Sequence, residues 1–151
     1  MDYRTAIYRY CNYQERCHKD VKNKLYELGA NTSEVHELMA EVIEAGLLNE
    51  ERYARAFARG KFRIKQWGKV KIVQHLKADQ VSEYCIRKAL QEIDGDEYYG
   101  VLQKLAARKF RELKPEKNSL INKVKLFRFL AQRGFEADLI NEAIMEIMKP
   151  E

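Results

Sequence analysis

Breakers of regular structure are scarce in this chain, with two prolines and seven glycines among 151 residues. No run of β-branched residues occurs either, so little argues for sheet. Long apolar runs are missing too, since no segment approaches the roughly 20 residues a membrane-crossing helix needs. Membrane insertion is therefore excluded. Cysteine is sparse and odd in number: Cys11, Cys17 and Cys85 show no CxxC spacing, and the opening MDYRTAIYRYC lacks an apolar signal region. A reduced, cytoplasmic protein is expected.

Catalytic signatures are absent as well. There is no P-loop, GxGxxG, HExxH or GxSxG, and the acidic residues are scattered rather than paired beside a glycine loop. His18, His36 and His75 stand apart from one another. Cys11, Cys17 and His18 do not have the spacing of a zinc-ligand set. Cys85 falls on the apolar side of its segment and reads as a core residue. No enzyme activity, metal or cofactor is expected.

What the chain does have is helix-forming composition: Ala, Leu, Glu, Lys, Arg and Gln dominate, with 46% apolar residues overall. The fold class expected is all-α. A search for self-similarity sharpens this. Windows beginning at Val21, Ile72 and Leu126 align without a gap. Their apolar positions coincide in five sets: Val21, Ile72 and Leu126; Leu25, Leu76 and Leu130; Val35, Ile86 and Ile140; Met39, Leu90 and Ile144; Val42, Ile93 and Ile147. Steps of four and three put each group on one helix face.

Between the paired helices lies a turn. Gly29 and Gly134 occupy it in the outer copies, where a helix end favours positive φ, and Gln80 stands there in the middle copy, at some cost in strain. Asn31, Ser33 and Ser82 are candidate N-caps for the following helices. Each copy also has a leading helix. In the middle one Tyr53, Phe57, Gly60 and Ile64 form an apolar or small stripe after Asn49; in the third, Tyr98, Leu102 and Leu105 follow Asp94 or Asp96. The first, around Tyr3 to Tyr13, is more weakly patterned. Three tandem three-helix repeats are expected, over residues 1–48, 49–93 and 94–151, with the longest break at Leu113 to Ser119. Stacked end to end, such units form an elongated, curved body that presents an extended face.

Charge is distributed unevenly along these repeats. The net charge is +5. The first repeat holds six basic and eight acidic residues, the second eleven and five, the third eleven and ten. The excess sits in RYARAFARGKFRIKQWGKVKIVQHLKA, Arg52 to Ala78, which has nine basic residues and no acid. Arg52, Arg55, Arg59 and Arg63 follow at steps of three, four and four, one stripe that needs a counter-charge. Lys61, Lys65, Lys69 and Lys71 continue it. A charge run is ordinarily a solvated face, but the lack of acids and the use of arginine favour forked contacts to phosphate or carboxylate. Trp67 beside Gly68 suits a core plug at the helix junction better than a base-stacking platform. The same caution applies to Tyr3, Tyr8, Tyr10, Tyr13 and Tyr26.

The segment from Leu47 to Leu90 resembles the central signature of the RecX family of bacterial recombination regulators. Leu47, Leu48, Glu51, Arg52, Tyr53, Ala54, Ala56, Phe57, Trp67, Gly68, Ile72, Leu76, Ile86, Ala89 and Leu90 stand where that signature expects them. Gln66 and Gln80 replace its glycines. The resemblance implies a non-enzymatic protein that lodges along the RecA filament on DNA and restrains ATP hydrolysis, strand exchange or filament growth, most simply by inhibition; a monomer is the default expectation. It also implies contact with single- or double-stranded DNA, direct or through the filament, for which the phosphate charge would account. The basic positions at 52, 55, 59, 61, 63, 65, 69 and 71 are then the expected contact residues. The alternative is a helix-turn-helix-type DNA-binding module acting without RecA. Against it, VSEYCIRKAL and EADLINEAIM offer no polar recognition face.

Overall fold

A computed structural model describes residues 2–149. These form nine α-helices: α1 (Tyr3–Tyr13), α2 (His18–Glu27), α3 (Thr32–Glu44), α4 (Glu50–Arg63), α5 (Lys69–Ala78), α6 (Glu83–Leu90), α7 (Gly95–Glu112), α8 (Ser119–Gln132) and α9 (Ala137–Ile147). No strand occurs among the described residues. None of their helices is long and apolar enough to cross a membrane. The fold is all-α, three triplets of helices in chain order.

Burial follows the repeat register. Val21, Ile72, Leu126, Leu25, Leu76 and Leu130 are all fully buried, and Val35, Ile86 and Ile140 are buried at the matching place in the third helix of each triplet. The inner sets therefore hold throughout. Only the outer rim loosens, where Met39, Leu90 and Ile147 are half-buried.

The turn between second and third helices is built the same way three times. Gly29, Gln80 and Gly134 have φ of 102°, 63° and 97°. In each, the N–H of that residue bonds to Tyr26, Lys77 or Ala131 O, and the next N–H bonds to Leu25, Leu76 or Leu130 O. These paired bonds are the Schellman closure, which satisfies carbonyls a helix end leaves open. Gln80 thus keeps the turn rather than altering it. Gln66, the other departure from the family signature, also has positive φ, at 57°. Both glutamines carry the strain of a left-handed residue.

Helix starts are capped locally. Asn31 and Glu34 form a reciprocal capping box on α3, Ser82 caps α6 and Asp94 caps α7. Asn49 Oδ1 accepts from Arg52 N–H at 2.8 Å at the start of α4. Ser33 lies inside α3 and caps nothing.

The stripe expected on α4 is displaced by one residue. Ala54, Ala58 and Phe62 are buried, at steps of four, while Tyr53 and Phe57 are half-buried and Ile64 is 79% exposed.

The chain divides into two compact units. One comprises Met1–Arg59 with Gln74–Glu92, the other Gly60–Val73 with Ile93–Glu151. α4 and α5 each give residues to both. In the first, α1, α2 and α3 enclose a core of Ile7, Val21, Leu25, Val35, Val42 and Leu48, edged by Tyr3, Tyr8 and Tyr10. In the second, Tyr98, Leu102, Leu105 and Ala106 of α7 are buried, as are Leu126, Leu130, Phe135, Ile140 and Ile144. α7, α8 and α9 pack mutually there.

Candidate functional site

The eight basic positions fall into two groups with different surroundings. Arg52, Arg55 and Arg59 lie on the first turns of α4, in the first unit, and have carboxylate partners within it. Arg52 Nε donates to Glu15 Oε2 at 2.6 Å and its Nη2 donates to Gly46 O at 2.8 Å. Arg55 Nε reaches Glu51 at 2.9 Å and its Nη1 lies 3.9 Å from Glu92. Arg59 Nη1 donates to Glu92 at 2.6 Å. The counter-charge that the stripe needs is thus present in the chain. Glu51 is in the same helix; Glu15 and Glu92 are far away in sequence, which hides the pairing from any local reading.

Two aromatic contacts sit beside this stripe. Tyr53 donates its hydroxyl to Asp79 Oδ2 at 2.7 Å. Burial, reinforced by that carboxylate, pushes its pKa well up. Phe57 stacks against His75 with ring centroids 6.3 Å apart.

The second group, Lys61, Arg63, Lys65, Lys69 and Lys71, belongs to the second unit. It surrounds the junction between α4 and α5, whose geometry rests on two glycines. Gly68 N–H donates to Arg133 O at 2.7 Å and Val70 N–H to Gly134 O at 2.9 Å. Lys69 N–H donates to Tyr98 Oη at 2.8 Å. The first amides of α5 have no partner inside their own helix. Here the α8–α9 turn and a tyrosine supply them. The backbones come so near that a Cβ on Gly68 would lie 2.3 Å from the carbonyl carbon and oxygen of Gly134.

Tyr98 anchors this arrangement. It is 2% exposed, its ring packs on Phe62 and Phe135, and its hydroxyl donates to the Glu136 carboxylate while accepting from Lys69 N–H. Burial, with Glu136 adding to it, raises its pKa far above that of free tyrosine. The hydroxyl remains a donor.

Around the junction, ammonium groups lie against aromatic rings. Lys61 and Lys71 Nζ are 5.0 and 4.4 Å from the Trp67 ring centroid, and Lys69 Nζ is 4.7 Å from that of Tyr98. Such contacts are worth about 0.5–2 kcal/mol and hold the charge in place without neutralising it. Trp67 is half-buried at the junction, and its ring is shared by two lysines. Arg63 and Lys65 are exposed and form no ion pair among the described residues.

One basic feature went unread in the sequence. Tyr98 to Arg111 holds Lys104, Arg108, Lys109 and Arg111 and no acid. The signal was available, but the near balance of charge over the whole third repeat masks it. Elsewhere, all three cysteines are free and buried. Burial pushes the Cys17 thiol up to about 12, so it serves as the helix cap it is, accepting from Asp20 N–H at 3.4 Å. No group of three or more potential ligands able to hold a metal occurs among the described residues.

Comparison with known proteins gives one consistent result. Two family models match, RecX second three-helix domain over residues 49–90 and RecX third three-helix domain over 96–144. A regulatory protein RecX from Clostridium perfringens (strain 13 / Type A) is 29% identical over 134 residues, covering 88% of this chain and 62% of that protein. The chain therefore spans under two thirds of that relative. A Halorhodospira halophila regulatory protein RecX is 28% identical over 140 residues, covering 93% and 84%. Among solved structures, RecX from Lactobacillus salivarius superposes with a TM-score of 0.81 at 22% identity, over 95% of this chain and 93% of that one.

Proposed function

Because the chain belongs to the RecX family of regulatory proteins, we propose that it binds the filament of the RecA recombinase on DNA and restrains it. In this reading it is a non-enzymatic, monomeric regulator in the cytoplasm, needs no cofactor, and works by inhibiting ATP hydrolysis, strand exchange or filament extension. Residues 1–48, 49–93 and 94–151 are its three functional repeats. The match over residues 49–90 carries the proposal, because that segment holds all eight basic positions.

The two groups of cations are assigned different work. Arg52, Arg55 and Arg59 brace α4 against Glu15, Glu51 and Glu92, and a partner would have to displace those carboxylates to reach them. Exposed pairs of this kind contribute up to about 1 kcal/mol each to stability. Arg63, Lys65 and Lys71 have no such competitor, and they make the contact with phosphate or acidic protein surface. Neutralising Arg63, Lys65 and Lys71 together to Gln is expected to weaken binding to preassembled RecA–DNA filaments by about 10- to 100-fold, at roughly 0.5–1 kcal/mol per contact. The same change at Arg52, Arg55 and Arg59 should weaken it by less than about threefold. Co-sedimentation with filaments measures both, and the reverse ranking would return the contact to the arginine stripe. Were the helix-turn-helix alternative correct, binding would show a preferred DNA sequence in the absence of RecA.

A further inference from the structure

We propose that Lys104, Arg108 and Arg111 of α7 form a binding site for the phosphodiester backbone of a DNA strand, bordered by Gln66 of the α4–α5 junction. The site is a concavity of about 410 Å³ within the second unit, lined by Gln66, Lys104, Leu105, Ala107, Arg108 and Arg111. Steps of four and three put the three cations on one face of α7. Seven residues of helix advance about 10 Å, the rise over which one strand of a duplex presents about three phosphates.

Three properties distinguish this groove from an ordinary solvated face. None of the three cations forms an ion pair among the described residues. The nearest acid in sequence, Glu112, directly follows Arg111 and lies four residues from Arg108, yet neither arginine is bridged to it. By contrast, Arg52, Arg55 and Arg59 of α4 meet carboxylates at 2.6 to 2.9 Å. The floor is apolar: Leu105 is 2% exposed and Ala107 is half-buried, which suits the sugar edge of a strand whose phosphates meet the cations above. A concave wall of low dielectric concentrates the field of its charges, so three uncompensated cations there attract a polyanion more strongly than the same three on a convex surface. An acidic protein patch is the weaker fit, because side-chain carboxylates do not recur along a chain as regularly as phosphates do.

The site goes beyond the RecA reading and is tested without RecA. A fluorescein-labelled oligo(dT) of 20 nucleotides is titrated with the protein at several salt concentrations and followed by anisotropy. Replacing Lys104, Arg108 and Arg111 together by Gln should weaken binding at low salt at least about tenfold and make the log–log salt slope shallower by about 2, since each single-strand phosphate contact contributes about 0.7. Far-UV circular dichroism and the melting temperature should be unchanged, because the three side chains are exposed. A second variant, Arg108→Lys with Arg111→Lys, keeps the charge and should keep the slope. An unchanged affinity and slope in the Gln variant would overturn the proposal. So would an equal loss in the charge-retaining variant, which would assign the effect to shape. A failure here leaves the RecA reading standing, because no recombinase is present.

Discussion

Gly134→Ala is expected to lower the stability of the second unit by about 3 kcal/mol, through two costs that add. The residue has φ of 97°, where a side chain costs roughly 1–2 kcal/mol. Its new Cβ would also lie 2.3 Å from Lys71 Cβ and 2.6 Å from Lys71 N, a backbone clash that cannot be relieved by turning a side chain. Overpacking of this kind costs about 1–3 kcal/mol. Gly29→Ala isolates the first cost, since Gly29 closes the same turn at φ 102° but its nearest neighbour would be Tyr3 Oη at 3.5 Å. About 1–2 kcal/mol is expected there. Gln80→Gly should run the other way, relieving strain at φ 63° for a net gain of about 0.5 kcal/mol after the added chain entropy of glycine. Urea unfolding of the three variants gives the order. If Gly134→Ala costs no more than Gly29→Ala, the close approach of Gly134 to α5 is not a structural constraint.

Leu130→Asp should abolish cooperative unfolding of the second unit. Leu130 is fully buried and sits at the register position shared with Leu25 and Leu76. Truncating such a leucine costs about 2–5 kcal/mol. Leaving an unpaired carboxylate in its place adds several more. The sum is comparable to the whole stability of a small domain. Leu76→Asp should do the same to the first unit. Ile64→Asp is the control: at 79% exposure the change should stay within about 0.5 kcal/mol. Circular dichroism during melting measures all three, and a sharp transition retained in Leu130→Asp would contradict the repeat register.

Nearly all of the fold was legible because the repeat encodes it three times. Local signals were sufficient where the physics is local: Gly29 and Gly134 mark the turns, and Asn31, Ser82 and Asp94 mark helix starts. The stripe on α4 was placed one residue away, on Tyr53 and Phe57, because aromatic bulk outweighs alanine in any reading of hydrophobicity. What the helix needed against its neighbours was smallness, at Ala54 and Ala58.

The candidate site was legible as charge but not as arrangement. Arg52 and Glu15 are 37 residues apart, and Arg59 and Glu92 are 33 apart, so their neutralisation is a tertiary fact. The same holds for Gly68, whose neighbour Trp67 drew attention while the reason for the glycine was Gly134, far along the chain. The α7 groove needed both levels. Its cations are at helical spacing in the sequence, but their lack of carboxylate partners and their apolar floor exist only in the fold.

The central claim, that this RecX-family chain restrains RecA, is tested most directly by the rate of single-stranded-DNA-dependent ATP hydrolysis by the cognate recombinase, with the protein added at substoichiometric and then equimolar ratios. The account predicts a fall in rate that begins below equimolarity. An unchanged rate at an equimolar ratio, under conditions where the protein still binds bare DNA, would contradict it.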